Sequence, residues 1–460
     1  MRKLRFIFVV FILTLMIPQM ATTSSIADEP QRVDTSVPTA RLPRVYDMDL
    51  GYEIYEMVDE DRYIEYIREF TENGERHIYK YADIPGSNNE LSRYWLVDKM
   101  TEVSNERLEI EILGNYLSIV GRLPGYLPGE HPVFVISAHY DTMPLCPGAN
   151  DNGAGIAAVL ELLGIMSQYE WPLDIYFIAF NVAEAQYDIL TPPPGRLRGS
   201  EEVSIAFDDR AIEILAHFDV GAILRVADHA PNDERVYLAY YDEGGLVPYT
   251  QSQYWAELGK TMSNWYGYDF VQTIPARFFI EYYRADIRKF LERGYYNEIL
   301  AFETGLADDD AYQTANDVWH RYDYSYRIGR EVTALIGASM AYSMSKAYGE
   351  ATRLTFQGVT YSGRSVRYFV PVTMATRLNI TARWFGASAT FLVYAPSGAE
   401  IGSSIQATTH PWNSTQIFSI PVTQKGLYRI EVWDTGEDSL GIELEIDYEV
   451  DANLNGVSDQ

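Results

Sequence analysis

The chain has 460 residues and a formal net charge of −29, with 65 acidic and 36 basic side chains. This balance argues against nucleic acid as a partner, because nucleic-acid affinity comes from Lys and Arg side chains that neutralise phosphates. Apolar residues make up 47% of the chain, which indicates a folded protein with room for a large core and a second domain. The single cysteine, Cys146, excludes an intramolecular disulfide, so the core itself must hold the fold.

Residues 1–27 have the composition of a secretory signal peptide. A basic start, MRKLR, precedes the apolar run FIFVVFILTLMI, and small residues follow before Asp28. The apolar run is short for a membrane-spanning helix, so an uncleaved anchor is the weaker interpretation. We therefore expect a secreted or extracytoplasmic protein with no membrane span after signal removal. Residues 28–50 resemble a linker, because they contain Pro and Thr and show little periodicity.

Residues 51–349 alternate between helical and strand-like stretches. The pattern from Tyr52 to Val103 is helical, and the successive strand candidates after it are LEIEIL, YLSIVGRL, VFVISAHYD, LDIYFIAFN, GAILRV and EILAFE. The helix EVTALIGASMAYSMSKAYG closes this part of the chain near Gly349. Such alternation predicts an α/β domain whose sheet is covered by helices on both faces.

Residues 351–450 have a different texture. Six short strands separated by turn signals predict an all-β sandwich domain, and they are YFVPV, LNITARW, TFLVYAP, TQIFSIPV, LYRIEVW and IELEIDYEV. In texture and position this part resembles the pre-peptidase C-terminal domains of secreted proteases.

The tail at 451–460 resembles part of a calcium loop. Asp451, Asn453, Asn455 and Asp459 fit the D-x-N-x-N-G pattern, but the glutamate of the twelfth position is missing. A weak calcium site and a frayed tail are therefore equally open interpretations.

The stretch VFVISAHYDTMPLCPGANDNGAG, from Val133 to Gly155, carries the candidate chemistry. His139 ends an apolar run typical of a buried strand, and Asp151 comes just before the apolar helix GIAAVLELLGIM. One interpretation is that Asp151 caps the helix and His139 is a core histidine. The other is that both side chains bind a cation, because imidazole and carboxylate are ordinary zinc ligands.

The sequence HYD followed by GANDNGAG resembles the M28 family of zinc metallopeptidases. The resemblance covers roughly Tyr52 to Gly349 and implies a zinc-exopeptidase-like fold with a mixed, mostly parallel sheet. It implies that His139 is a metal ligand and that Asp151 bridges two metals. It also implies that Asp141 is the carboxylate that orients the site, a role that metal-ligating groups generally need.

Some of the family's remaining site residues are present in this chain, and others are replaced. After the strand LDIYFIAFN the family has a general-base glutamate and then a ligand glutamate; Glu184 fits the base, and Ala185 stands where the ligand would be. The family's Asp that precedes a strand corresponds to Asp219, just before GAILRV. The last family ligand is the His of H-T-x-N-D, and this chain has Gln313 there, in QTAND. Gln is a poor zinc ligand.

The resemblance therefore implies one intact half-site and one degenerate half-site. His139, Asp151 and Asp219 would hold one zinc ion, while Ala185 and Gln313 could not hold the second. We expect metal-dependent hydrolysis of peptide bonds, of the aminopeptidase type, on peptide or protein substrates. An active enzyme would need a substitute for the missing half-site, from Gln313, Cys146 or an acid in the run 308–310.

Two other functions remain open. The chain could be a catalytically inactive pseudopeptidase that binds peptides or proteins, which is plausible only by analogy. A glutaminyl-cyclase-like activity is disfavoured, because those relatives keep their single zinc on the half-site that is lost here. The sequence leaves the oligomeric state open.

Overall fold

The structure is a computed structural model that describes residues 50–448 except 73, 80–82, 127–130, 185–196, 229–234, 243–249, 348–352, 361–364, 373–375, 386–388, 396–398, 407–413, 423–425 and 436–439. The predicted signal peptide, the linker up to residue 49, Ala185 and the predicted calcium loop lie outside the described residues. Within the described ranges, no helix has both the length and the apolar character needed to cross a bilayer.

The helices that the structure describes are α1 Leu50–Met57, α2 Glu60–Thr71, α3 Asn88–Val103, α4 Ala154–Met166, α5 Arg198–Asp209, α6 Gln251–Tyr266, α7 Ile287–Leu291 and α8 Tyr326–Ala347. The helical pattern predicted from Tyr52 to Val103 is confirmed as α1 to α3, and the predicted apolar helix is confirmed as α4. Ser87 begins α3 as its N-cap, because its hydroxyl accepts a hydrogen bond from the Glu90 backbone N–H.

A mixed sheet of eight strands forms the centre of this part. Its strands are β1 Glu109–Leu113, β2 Ser118–Leu123, β3 Val133–His139, β4 Ile175–Phe180, β5 Ile214–Val220, β6 Val236–Tyr240, β7 Val271–Pro275 and β8 Glu298–Glu303. The strand order is β1-β2-β4-β3-β5-β8-β6-β7. The central strands β4, β3, β5 and β8 run parallel, whereas β1, β2 and β6 add antiparallel pairings. The mixed, mostly parallel sheet is therefore confirmed.

Both faces of the sheet are covered, as predicted. Side chains of a strand alternate between faces, so neighbouring residues of β3 pack in different cores. Phe134 and Ile136 pack in the large core that includes α4 and α8, whereas Val133 and Val135 pack in a second core with α5. Burial on both faces explains why β3 and β4 read as continuous apolar runs.

The prediction of a strand at GAILRV is wrong. The strand is Ile214–Val220, so Asp219 lies within the end of β5 and does not precede a strand. The backbone N–H groups of Ile223 and Leu224 donate to Asn150 Oδ1 at 3.0 and 2.9 Å, where a strand would use a neighbouring ladder. The apolar side chains of Ile223 and Leu224 are buried as in a strand, but their backbone N–H groups bond to a side chain.

The C-terminal part forms two antiparallel sheets of four strands each. Its strands are β9 Arg353–Thr360, β10 Ser365–Val372, β11 Thr376–Phe385, β12 Ala389–Tyr394, β13 Glu400–Gln406, β14 Ser414–Val422, β15 Gly426–Asp434 and β16 Leu440–Tyr448. The orders are β10-β15-β12-β13 and β14-β11-β16-β9. Trp384 of one sheet meets Phe391 of the other at a ring-centroid distance of 5.3 Å. The six predicted strands are present, and β9 and β13 complete the sheets.

Two glycines of α4 provide a test of how closely this helix packs on the sheet. A Cβ on Gly155 would lie 2.4 Å from Val220 O and 2.4 Å from Asn152 Oδ1. We expect Gly155→Ala to lower the free energy of unfolding by about 1–3 kcal/mol through overpacking. On the same helix, a Cβ on Gly164 would meet Val103 Cβ at 3.6 Å. Gly164→Ala should therefore be neutral or stabilise by up to about 1 kcal/mol. Chemical denaturation of both variants checks this, and equal effects would contradict it.

Candidate metal centre

The candidate site lies at the carboxyl ends of three adjacent parallel strands. His139 is the last residue of β3, Asp219 is the penultimate residue of β5, and Glu184 follows β4. With Asp151, these side chains line one pocket. This is the edge of an open α/β sheet at which ligands are expected to bind.

The imidazole of His139 is held between two acidic residues. Its Nδ1 lies 3.0 Å from the backbone oxygen of Asp141, and its Nε2 lies 3.2 Å from Asp151 Oδ1. Burial lowers the pKa of His139, but the contacts with Asp141 and Asp151 outweigh this and raise it well above its ordinary value. The ring is therefore oriented with Nε2 toward the Asp151 carboxylate.

Three side chains of this pocket can share one metal ion. Ligand atoms of His139, Asp151 and Glu184 all lie within 4.8 Å of one another. One imidazole nitrogen and two carboxylates are a donor set that suits zinc, with room for a further ligand. Asp219 lines the same pocket but is not in this cluster, and its Oδ1 accepts a hydrogen bond from Ser137.

Asp141 organises the segment that carries Glu184. Its carboxylate is fully buried and accepts hydrogen bonds from the backbone N–H groups of Ala183 and Glu184, at 3.0 and 2.9 Å. Asp141, two residues beyond the end of β3, thus fixes the turn that follows β4. This connection could not be read from the HYD pattern alone.

Asp151 does not cap α4. It belongs to the turn Ala149–Gly153, and the N-cap residue of α4 is Gly153, which makes no side-chain cap hydrogen bond. The turn is held instead by Asp317, whose carboxylate accepts from the backbone N–H groups of Asn150 and Asp151 at 2.7 and 3.0 Å. The capping interpretation of Asp151 is therefore wrong, and its carboxylate remains directed at His139.

Arg76 is a residue of the site that sequence reasoning missed. Its guanidinium is fully buried and donates to the backbone oxygens of Tyr140, Pro147 and Gly148, at 2.8, 2.6 and 3.1 Å. It thereby fixes the loop that connects His139 to Asp151. Burial lowers the pKa of Arg76 to about 10, although the charges of Cys146, Asp317 and other nearby acidic groups act in the opposite direction. An isolated Arg in an irregular segment offers no sequence signal for this role.

The structure distinguishes among the candidate substitutes for the lost half-site. Gln313 Nε2 donates to Glu184 Oε2 at 3.0 Å, so this amide contacts the candidate base directly. The Cys146 thiol is buried 3.9 Å from Asp317 Oδ2, and this burial raises its pKa. In the acidic run, Asp309 accepts from the Asn150 amide and Asp310 pairs with Arg321.

Comparison with known proteins agrees with this architecture. The sequence model described as Peptidase family M28 matches residues 118–336. The aminopeptidase YwaD of Bacillus subtilis is 43% identical over 56 residues, which are 12% of this chain and 12% of that protein. The matched segment thus covers a small part of that relative.

Solved structures share the fold. The LapA aminopeptidase of Legionella pneumophila has 17% sequence identity and a TM-score of 0.52, over 66% of this chain and 78% of that chain. LapB of the same organism has 21% identity and a TM-score of 0.50, over 65% and 76% of the two chains. The family model thus identifies a peptidase family M28 domain at residues 118–336, and the solved structures show a shared fold.

Proposed function

We propose that the protein is a zinc-dependent hydrolase of the aminopeptidase type, which removes residues from the amino terminus of peptides. The observation that carries this proposal is the cluster of His139, Asp151 and Glu184 at the carboxyl ends of parallel strands. The M28 domain and the similarity to proteins named aminopeptidases support it.

The electrostatics of the pocket support a bound cation. Asp219 and Asp286 are both buried and both line the pocket. Burial raises the pKa of Asp219, and burial together with the Asp219 charge raises the pKa of Asp286 to about 8. One oxygen of Asp286 has no hydrogen-bond partner among the described residues. A divalent cation in this pocket would offset the repulsion between these carboxylates.

His139 and Asp151 of the cluster are the proposed zinc ligands, and Asp219, which lines the same pocket, is proposed as the third because of the family resemblance. Glu184, although close enough to share the ion, is the proposed general base. Bound zinc would supply Lewis acidity, which polarises a substrate carbonyl and acidifies water. In this proposal Glu184 would take a proton from the attacking water and return it to the leaving amine. Its segment is fixed through Asp141, and Gln313 orients its Oε2.

We propose that a single zinc ion serves the reaction. The Gln313 amide already donates to Glu184, and an amide N–H directed at this oxygen opposes a second cation there. The contact between Gln313 and Glu184 is also compatible with the alternative function, a pseudopeptidase that binds peptides without cleaving them. The presence of the Glu184 carboxylate in the cluster favours the hydrolase, because peptide binding alone has no need of a base.

The pocket walls favour a peptide amino terminus. Apolar surface comes from Leu197, Phe302 and Tyr312, which can contact a side chain of the substrate. The surrounding carboxylates would attract the positive charge of a free α-amino group. The paired Glu281 and Arg284, joined at 2.8 Å, also line the pocket.

The first prediction concerns metal content. The purified wild-type protein should hold one equivalent of zinc and cleave aminoacyl-p-nitroanilides. His139→Ala should lose both the metal and the activity, because a ligand is removed. Glu184→Gln should keep the metal and lose activity by at least about 100-fold, as expected for a general base. Elemental analysis and steady-state kinetics on the same samples check both results.

The result that would contradict the hydrolase is a stably folded wild-type protein without zinc and without turnover. Two equivalents of zinc in the wild type would contradict the single-ion proposal. Loss of zinc in Glu184→Gln would show that Glu184 is a ligand and would overturn its assignment as the base. Circular dichroism of each variant controls for folding.

The second prediction concerns Asp286. Its pKa of about 8 in the fold lies above its ordinary value of 3.8, so the folded state binds more protons than the unfolded state between these pH values. Stability of the metal-free protein should therefore fall as pH rises through this window. Asp286→Asn removes this titration, so it should stabilise the metal-free protein relative to wild type more at pH 8 than at pH 5.

Denaturant unfolding at several pH values measures this difference. The exposed residue Asp209 provides the matched control, because Asp209→Asn removes an acidic group outside the pocket. A constant difference between Asp286→Asn and wild type from pH 5 to pH 8 would contradict the proposed burial effect.

Export is also part of the proposal, and it rests on the basic and apolar runs within residues 1–27. Mass spectrometry of protein recovered outside the cytoplasm should find a chain that begins near Asp28. Recovery of the uncleaved chain only, inside the cytoplasm, would refute this part of the proposal.

A further inference from the structure

Three buried polar side chains form a line behind the pocket, across three adjacent strands. Glu298 of β8, His217 of β5 and Ser137 of β3 have no exposed surface. The register explains the line, because His217 pairs with Glu298 and Ser137 pairs with Asp219. His217 and Asp219 are two residues apart on one strand, so both side chains point to the same face.

The contacts along this line are short. His217 Nδ1 lies 2.6 Å from Glu298 Oε2, and His217 Nε2 lies 2.7 Å from Ser137 Oγ. Ser137 Oγ donates to Asp219 Oδ1 at 2.7 Å. Among the described residues, neither His217 Nδ1 nor the Glu298 carboxyl oxygens make a hydrogen bond of regular geometry, although Nδ1 and Oε2 are in contact. A hydrogen held between these two buried groups would satisfy both.

Counting protons fixes the direction of the hydrogen bonds at Ser137. Ser137 has one hydroxyl hydrogen and gives it to Asp219, so its oxygen must accept from His217 Nε2–H. The contact between His217 Nδ1 and Glu298 Oε2 has room for one further hydrogen, which either group can carry. In both cases the donors at His217 Nε2 and Ser137 Oγ point toward Asp219.

We propose that Glu298, His217 and Ser137 are positioning residues that fix the Asp219 carboxylate for the cation of the site. This inference rests on the proposed function, in which Asp219 is a metal ligand. The line ends at the pocket and starts at a buried acid on the next strand, so it connects the core of the sheet to the metal centre. Outer groups that orient a ligand in this way commonly change metal affinity by about 10–100-fold when they are removed.

The test is a zinc competition titration with a chromophoric chelator, combined with the visible absorption spectrum of the cobalt(II)-loaded protein. Ser137→Ala should weaken zinc binding by about 10–100-fold and change the cobalt spectrum, because Asp219 loses its fixed orientation. Ser339→Ala is the matched control, since this hydroxyl on α8 is equally buried and donates at 2.7 Å only to Leu335 O of its own helix. It should leave both readouts unchanged.

Variants of Glu298 separate the positioning role from simple packing. Glu298→Gln keeps a group that can donate to or accept from His217 Nδ1 and should retain nearly wild-type zinc affinity. Glu298→Leu has no hydrogen-bonding group and should weaken zinc binding in the same direction as Ser137→Ala. Adding Glu298→Leu to Ser137→Ala should weaken zinc binding little further, because the line is already cut at the serine.

The outcomes distinguish this inference from the proposed function. Zinc binding by the wild type, with equal affinities and spectra for Ser137→Ala and Ser339→Ala, would overturn the positioning role and leave the hydrolase standing. Absence of zinc binding by the folded wild type would overturn both. If Ser137→Ala fails to fold, the contrast between Glu298→Gln and Glu298→Leu decides the question.

Discussion

Buried carboxylates crowd the carboxyl ends of the parallel strands, and their mutual repulsion is the constraint on which the rest of the structure depends. Asp151, Glu184, Asp219 and Asp286 line one pocket and are each at most 4% exposed. Desolvation and like charge both disfavour ionised carboxylates at such positions. Holding these carboxylates close together therefore lowers the stability of the metal-free protein, and a bound cation would relieve the repulsion between them.

The scaffold holds these carboxylates in place through buried hydrogen bonds to backbone groups. Arg76 holds the loop after β3, Asp317 holds the turn of Asp151, and Asp141 holds the turn of Glu184. Each of these side chains is fully buried and acts on a neighbouring segment. Fixed donors and acceptors of this kind preorganise a site, because little reorganisation is needed when a ligand binds. The chemistry of the pocket is thus a property of the surrounding loops as much as of the proposed ligands.

Much of the fold could be predicted from the sequence because buried strands and helices have recognisable patterns of apolar residues. β3 and β4 are continuous apolar runs, α4 is an apolar helix, and the C-terminal strands are separated by turn residues. The segment GAILRV shows where such patterns fail. Asn150 Oδ1 accepts hydrogen bonds from the backbone N–H groups of Ile223 and Leu224, and no strand forms there. Candidate site residues could be predicted where they belong to a recognisable sequence motif. Arg76, Ser137 and His217 could not, because their roles arise only from contacts between segments distant in the chain.

We propose that this pocket binds one cation, between the imidazole of His139 and the carboxylates around it. Anomalous X-ray scattering at the zinc absorption edge, from crystals of protein purified with zinc, would locate such an ion. We expect one strong anomalous peak within coordination distance of His139 Nε2 and the Asp151 carboxylate. A second peak beside Glu184 and Gln313, or a fully refined protein with no peak in this pocket, would contradict it.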